Sequence, residues 1–276
     1  MSILVYGSLV PDIVFTVPRL PTAGEDIPAG SLTVVAAAGG GGNVAVALAG
    51  WGYDVIASGN TVGDDPLGRW AAEEFSRRGI RLPDDYIEAG GVTAANGIIV
   101  TPDGERTIIG SDYSRVTWRP VTDWGGIDAV MVDRYSAAAG ATIIAEAAAR
   151  AIPVVGTDRT GPETAGLSML LWSAEEHPDP GEAIAAAGTG PRVVVTDGPR
   201  PVTVYQPDGT THRFTPEPHT VADSTGAGDL FAAAVTAGLS DGSGHDATIR
   251  QAIDVTTRYL TAGSRLEIPP LGRMGP

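Results

Sequence analysis

Cysteine is absent from the 276 residues, and so is lysine: all 18 basic residues are arginine. The first absence excludes a disulfide framework and thiolate chemistry. The second excludes Schiff-base catalysis and any Walker-type phosphate loop, which requires its lysine. Positive charge is scarce overall. The formal net charge of −15 argues against a nucleic-acid backbone or an anionic membrane as the main partner. Long apolar runs are missing too: none is long enough to cross a bilayer, and Met1 opens no basic, apolar leader. The chain therefore reads as cytoplasmic. An anionic ligand must be held by arginine, by backbone N–H groups or by a metal ion.

What is present is a hydrophobic content of 43%, enough for a sizeable core, arranged as alternating strands and helices. Short apolar runs at 2–7, 53–59, 128–133, 152–158, 167–173 and 192–198 have the character of buried parallel strands. Helical patterns fall at 43–52, 65–80 and 137–151. This rhythm predicts a doubly wound α/β architecture. Two segments break it. Residues 11–36 and 92–110 each hold two strand-like runs, the second pair joined by the turn signal TPDG. The expected organisation is one α/β domain over 1–276 carrying a small β insert.

The stretch VADSTGAGDLFAAAV (221–235) passes from loop to glycines to helix. Gly226 and Gly228 let the backbone come close to a ligand, and the first free N–H groups of the helix then point at it. Such an anion hole suits a phosphoryl oxygen or an alkoxide. Asp229 falls in the first helical turn, where the helix dipole favours its ionised form. A carboxylate beside an anion hole suits the removal of a proton from a hydroxyl during phosphoryl transfer. The same residues also suit a plain helix start, and spacing alone does not separate the two.

DSTGAGD resembles the D-T-x-G-A-G-D signature of the ribokinase-like (PfkB) family of carbohydrate kinases, with Ser224 at its second position. AGGGGNVAVALAGWG (38–52) is similar to that family's G-G-x-x-x-N-x-A segment, with Ala38 in place of the first glycine. Residues 59–80, VTPDGERTI (100–108) and VVVTDG (193–198) resemble three further family segments in the same order, so the likeness runs over nearly the whole chain. It implies a three-layer α/β/α sandwich with a β-sheet lid formed by about 11–36 and 92–110.

The resemblance implies roles for particular residues. Asp229 becomes the catalytic base, and Gly226, Ala227 and Gly228 the anion hole. Asp12 and Asn43 become ligands of the sugar hydroxyls, with Gly39 and Gly40 allowing close approach. Read without the family, Asp12 is a turn residue after Pro11, Asn43 a helix N-cap, and Gly39–Gly40 a flexible loop. On the nucleotide side the resemblance places Ser173, Thr196, Gly198 and Thr225, together with Gly226 and Gly228. Ser173 replaces the asparagine of the family's N-x-x-E motif, and Pro201 stands where a glycine is usual. Glu176 becomes a water-mediated ligand of Mg²⁺ or else an acidic helix start. Arg106 in the insert is an anion contact or a solvated hairpin charge. Asp133, ending a central strand, is a candidate contact to the sugar. Asp223, with Gly263 and Ser264, is the candidate site for K⁺.

The activity implied is transfer of the γ-phosphoryl of ATP to a hydroxyl of a small polyhydroxylated substrate, with Mg²⁺ as cofactor and a homodimer formed through the lid. A nucleoside kinase or a phosphosugar kinase of the same fold is the nearest alternative; a phosphosugar requires Arg106 or Arg134 at the pocket mouth. A ligand-binding protein without turnover is a further one.

Overall fold

The computed structural model describes residues 1–188, 190–218, 224–262 and 269–271. The chain begins with β1 (Ser2–Gly7), then β2 (Val10–Thr16), β3 (Ser31–Ala38), α1 (Gly39–Gly50), β4 (Asp54–Gly59), β5 (Val62–Gly63) and α2 (Pro66–Arg77). There follow β6 (Ile87–Glu88), β7 (Asn96–Val100), β8 (Arg106–Ile109), β9 (Ile127–Val132), α3 (Ala137–Ala149), β10 (Val154–Thr157) and β11 (Met169–Ser173). The remaining elements are α4 (Gly181–Ala187), β12 (Arg192–Thr196), β13 (Val202–Tyr205), β14 (Thr211–Phe214), α5 (Ala227–Ser240) and α6 (His245–Ala262).

Eight strands form the main sheet in the order β14-β13-β12-β11-β10-β9-β1-β4. Pairing is parallel from β4 across to β12, and antiparallel from β12 through β13 to β14. The parallel strands are apolar on both faces because helices cover both. Val44, Leu48, Phe231, Val235 and Ile249, from α1, α5 and α6, pack on one face. Ile143, Ile144 and Ala183, from α3 and α4, pack on the other. This is the expected three-layer α/β/α arrangement.

The two segments outside the rhythm form a second sheet, ordered β3-β2-β7-β8. The first enters it directly after β1, and the second follows the short parallel pair of β5 and β6. The chain thus places β4 on one side of β1 and β9 on the other. Strand order reverses at this point, and the crevice it opens lies outside the carboxyl ends of β1 and β9. Gly7 ends β1 there because a Cβ would stand 2.5 Å from the Asp133 carboxyl carbon.

Several local expectations change. α1 begins at Gly39 rather than at Asn43, so Asn43 is the fifth helical residue and not its N-cap. Gly39 and Gly40 form the first turn of this helix and not a flexible loop. Gly39 has φ +80°, and a Cβ on it would meet the Ser8 carbonyl oxygen at 2.6 Å. Asp12 is no turn residue: it lies within β2, after an irregularity in the pairing with β3 between Val10 and Asp12. Glu176 opens no helix; α4 starts only at Gly181. Asp65 caps α2, accepting from the N–H groups of Leu67 and Gly68 at 2.9 Å each.

Candidate active site

Three carboxylates converge at the crevice from distant parts of the chain. Asp229 stands in the first turn of α5, behind Gly226, which caps the helix in the left-handed region at φ +78°. No side chain caps this helix, and Asp229 does not turn back on it. Its Oδ2 accepts a hydrogen bond from Asn43 Nδ2 at 2.7 Å, across 186 residues of sequence. α1 and α5 pack side by side, which brings the two together. Burial pushes the Asp229 pKa up to about 7; the Asn43 amide opposes this, the charges of Asp133 and Asp12 add to it, and Arg106 lowers it. A carboxylate so placed is a base poised near neutral pH.

Asp12 lies on the second sheet. Its Oδ1 accepts from Asn96 Nδ2 at 2.9 Å, the two residues being register partners of β2 and β7. Burial raises its pKa to about 6, against the hydrogen bonds from Asn96 and the Gly39 N–H. The second sheet thereby meets the first turn of α1.

Asp133 follows β9 and is only 2% exposed. Its Oδ2 accepts from the Ser8 N–H at 2.6 Å and the Ser8 hydroxyl at 2.9 Å, and its Oδ1 from the Ser136 N–H at 3.0 Å. These bonds fix the carboxylate between the end of β1 and the turn that follows β9. Ser8 Oγ accepts from the Gly40 N–H at 3.0 Å, which ties the end of β1 to α1.

On the other side of the glycine loop, Arg106 of β8 directs Nη1 to Ser224 Oγ at 3.4 Å. An arginine of the second sheet therefore reaches the loop that holds the candidate anion hole. Among the described residues, and leaving aside its own stretch of chain, Gly228 has no heavy atom within 4 Å of where its Cβ would stand. Thr225 is tied to α6 through its carbonyl, which accepts from Tyr259 Oη at 2.8 Å.

Ser173 and Thr196 end β11 and β12 as register partners at the carboxyl edge of the sheet. Gly198, at φ +54°, sits in the turn beyond; a Cβ there would lie 2.5 Å from Glu175 Oε1. Glu176 is ion-paired with Arg134, whose same nitrogen lies 3.7 Å from Asp158 Oδ2. Arg134 is thus shared between two carboxylates. Asp223, Gly263 and Ser264 lie outside the described residues.

Some members of this constellation give no signal in the sequence. Ser8 is one serine beyond a strand, and Asn96 is one polar residue at the start of an apolar strand. Tyr113 and Tyr135, whose rings stack at 5.8 Å beside the site, come from short irregular turns. Each gains its role from a partner far away in the chain.

Comparisons with known proteins bear on the family and the fold. The family model described as "pfkB family carbohydrate kinase" matches residues 1–124 and 167–256. An ATP-dependent ribose-1-phosphate kinase of Halopiger xanaduensis is 34% identical over 114 residues, which is 41% of this chain and 37% of that protein. The chain thus spans well under two thirds of the length of that relative. Among solved structures, the ribokinase of Arabidopsis thaliana complexed with ribose and ATP superposes with a TM-score of 0.73 at 22% identity, covering 94% of this chain and 92% of that one. The nucleoside kinase of Methanocaldococcus jannaschii superposes with a TM-score of 0.79 at 14% identity, covering 98% and 95%. At such identities these structures speak for the fold, while the family match extends over most of the sequence and over both of its glycine-rich segments. The chain belongs to the pfkB family of carbohydrate kinases.

Proposed function

We propose that this kinase transfers the γ-phosphoryl group of ATP to a hydroxyl of a small sugar or sugar-like acceptor held between Asp12, Asn43 and Asp229. The observation that carries the reading is the 2.7 Å bond from Asn43 to Asp229. It sets a carboxylate with a pKa raised to about 7 beside both the acceptor-side helix and the N–H groups of the glycine loop. Asp229 takes the hydroxyl proton at Oδ1 or Oδ2 as the oxygen attacks. The amides of 226–228 receive the charge of the transferred group, and Arg106 adds a cation from the second sheet. Asp12 accepts from neighbouring hydroxyls and so orients the acceptor. The second sheet acts as a lid that keeps water from the nucleotide.

The nucleotide is assigned to the carboxyl edge of β11 and β12, with Ser173, Thr196 and Gly198, and to Thr225 of the glycine loop. When bound, Mg²⁺ would supply the positive charge that offsets the phosphates. Glu176 supplies a hard oxygen that suits it through water, once its ion pair with Arg134 opens. Among the described residues no cluster of three or more metal-ligating side chains forms, and Mg²⁺ characteristically retains waters and phosphate ligands.

A second reading, a sugar-phosphate acceptor, draws support from Arg106 beside Ser224 and from the ribose-1-phosphate kinase likeness. ADP release measured across sugars, sugar phosphates and nucleosides separates the two. Turnover of neutral sugars supports the first. Turnover confined to phosphorylated sugars and lost in Arg106→Ala supports the second. Absence of ADP release with every acceptor defeats both.

A further inference from the structure

We propose that Arg159 is a positioning residue of the acceptor site, one that fixes the turn 133–137 at the end of β9; the inference rests on reading that crevice as the acceptor pocket. The turn is one wall of the pocket. A Cβ on Gly40 would lie 3.1 Å from Asp133 Oδ2 and 3.4 Å from the Tyr135 ring, so the turn packs directly on the first residues of α1. Through the Asp133 carboxylate it also holds Ser8 at the end of β1.

The turn does not hold its own shape by preference. Ala137 adopts φ +40° and ψ −121°, a conformation that non-glycine residues rarely occupy unless their surroundings impose it. Arg159 supplies that constraint from beneath. Its Nη1 donates to the Asp133 carbonyl at 2.8 Å, and its Nη2 to the Ala137 carbonyl at 2.6 Å, so one planar guanidinium clamps both ends of the turn. The side chain is 4% exposed and is balanced by Glu163, whose Oε1 accepts from Nη2 at 2.9 Å. Two carbonyls held by one rigid fork require arginine; an ammonium on a flexible stem cannot reproduce the geometry. None of these contacts reaches the reacting atoms, so Arg159 acts through Asp133, Tyr135 and Ser8.

The test pairs a catalytic readout with one that needs no acceptor. In Arg159→Lys, amide exchange followed by mass spectrometry is expected to rise at least ~10-fold in the peptides holding 7–9 and 133–140, with the rest of the sheet unchanged. With D-ribose as the probe acceptor, its KM is expected to rise at least ~5-fold while the KM for ATP stays put, a split that general destabilisation does not produce. Ala137→Gly, added to Arg159→Lys, relieves the strained φ and is expected to return the exchange toward the parent rate. Unchanged exchange in folded Arg159→Lys, a rise spread over the whole sheet, or a rise without a change in the D-ribose KM overturns the proposal. Should the lysine protein not fold, Glu163→Gln, which leaves the guanidinium without its counter-charge, is read by the same criteria. If the parent protein turns over neither D-ribose nor any other sugar, the kinase reading fails, and the exchange pattern still decides whether Arg159 holds the turn.

Discussion

Ionising Asp229 in the free protein is uphill, because burial holds its pKa near 7 and Asp12 and Asp133 add like charge. A carboxyl whose pKa is raised on folding favours the folded state while it is protonated. That contribution is whole below the unfolded pKa, near 4, and is lost as pH rises through 7. Asp229→Asn removes the charge and leaves the Asn43 contact available to its amide oxygen. At pH 8 the variant should therefore be more stable than the parent, by roughly 1–3 kcal/mol. The difference should vanish near pH 4, as denaturant titrations at the two pH values would show. Catalysis has the opposite sign. The base must be ionised, so kcat/KM for the acceptor should fall about tenfold per pH unit below pH 7. The fall should steepen below pH 6, where Asp12 is protonated in its turn. A flat profile from pH 5 to 8 would contradict both assignments. Asp12→Ala should raise the acceptor KM strongly and leave the ATP KM unchanged, since every contact of Asp12 lies on the acceptor side.

Two glycines show how differently one residue type serves neighbouring elements. In α1, Gly39 is required by the fold: φ is +80° and a Cβ would strike the Ser8 carbonyl. Gly39→Ala should destabilise the protein by roughly 1–3 kcal/mol, read as a lowered thermal transition. At the start of α5, a Cβ on Gly228 would meet no atom beyond its own stretch of chain among the described residues. Gly228→Val should melt close to the parent yet lose phosphoryl transfer, because the added methyls stand over the amides of the anion hole. The parallel strands, α2, α3 and the start of α5 are legible in the sequence because apolar runs, caps and glycines act locally. The edge hairpin of β13 and β14 is not, since short strands of mixed polarity show no clear period. Asp229, Asp12 and Asn43 are legible through their motifs. Arg159 and Ser8 are not: an arginine after a strand looks like any surface arginine until the fold places two carbonyls and Glu163 around it. For Asp133, the position at the switch point is visible in the sequence, but its engagement by Ser8 and Ser136 is not.

For the molecule as a whole, the second sheet leaves Leu32, Ile108 and Ile109 more than half exposed on β3 and β8. Apolar side chains on the two outer strands of a small sheet suit pairing with a second copy. Sedimentation at micromolar concentration should give a dimer, and Ile108→Glu with Ile109→Glu should give a monomer; a parent protein that sediments as a monomer would contradict the lid interface. Phosphoryl transfer should also stop in excess chelator if, as proposed, Mg²⁺ offsets the triphosphate in a chain without lysine. The central claim is that Asp229 deprotonates an acceptor hydroxyl beside the glycine loop. ADP release by the parent and by folded Asp229→Asn, with Mg²⁺-ATP and a panel of sugars, tests it most directly. The account predicts acceptor-dependent turnover in the parent and a loss of at least ~10²-fold in kcat in the variant, with ATP affinity little changed. Near-parental turnover by Asp229→Asn would contradict it.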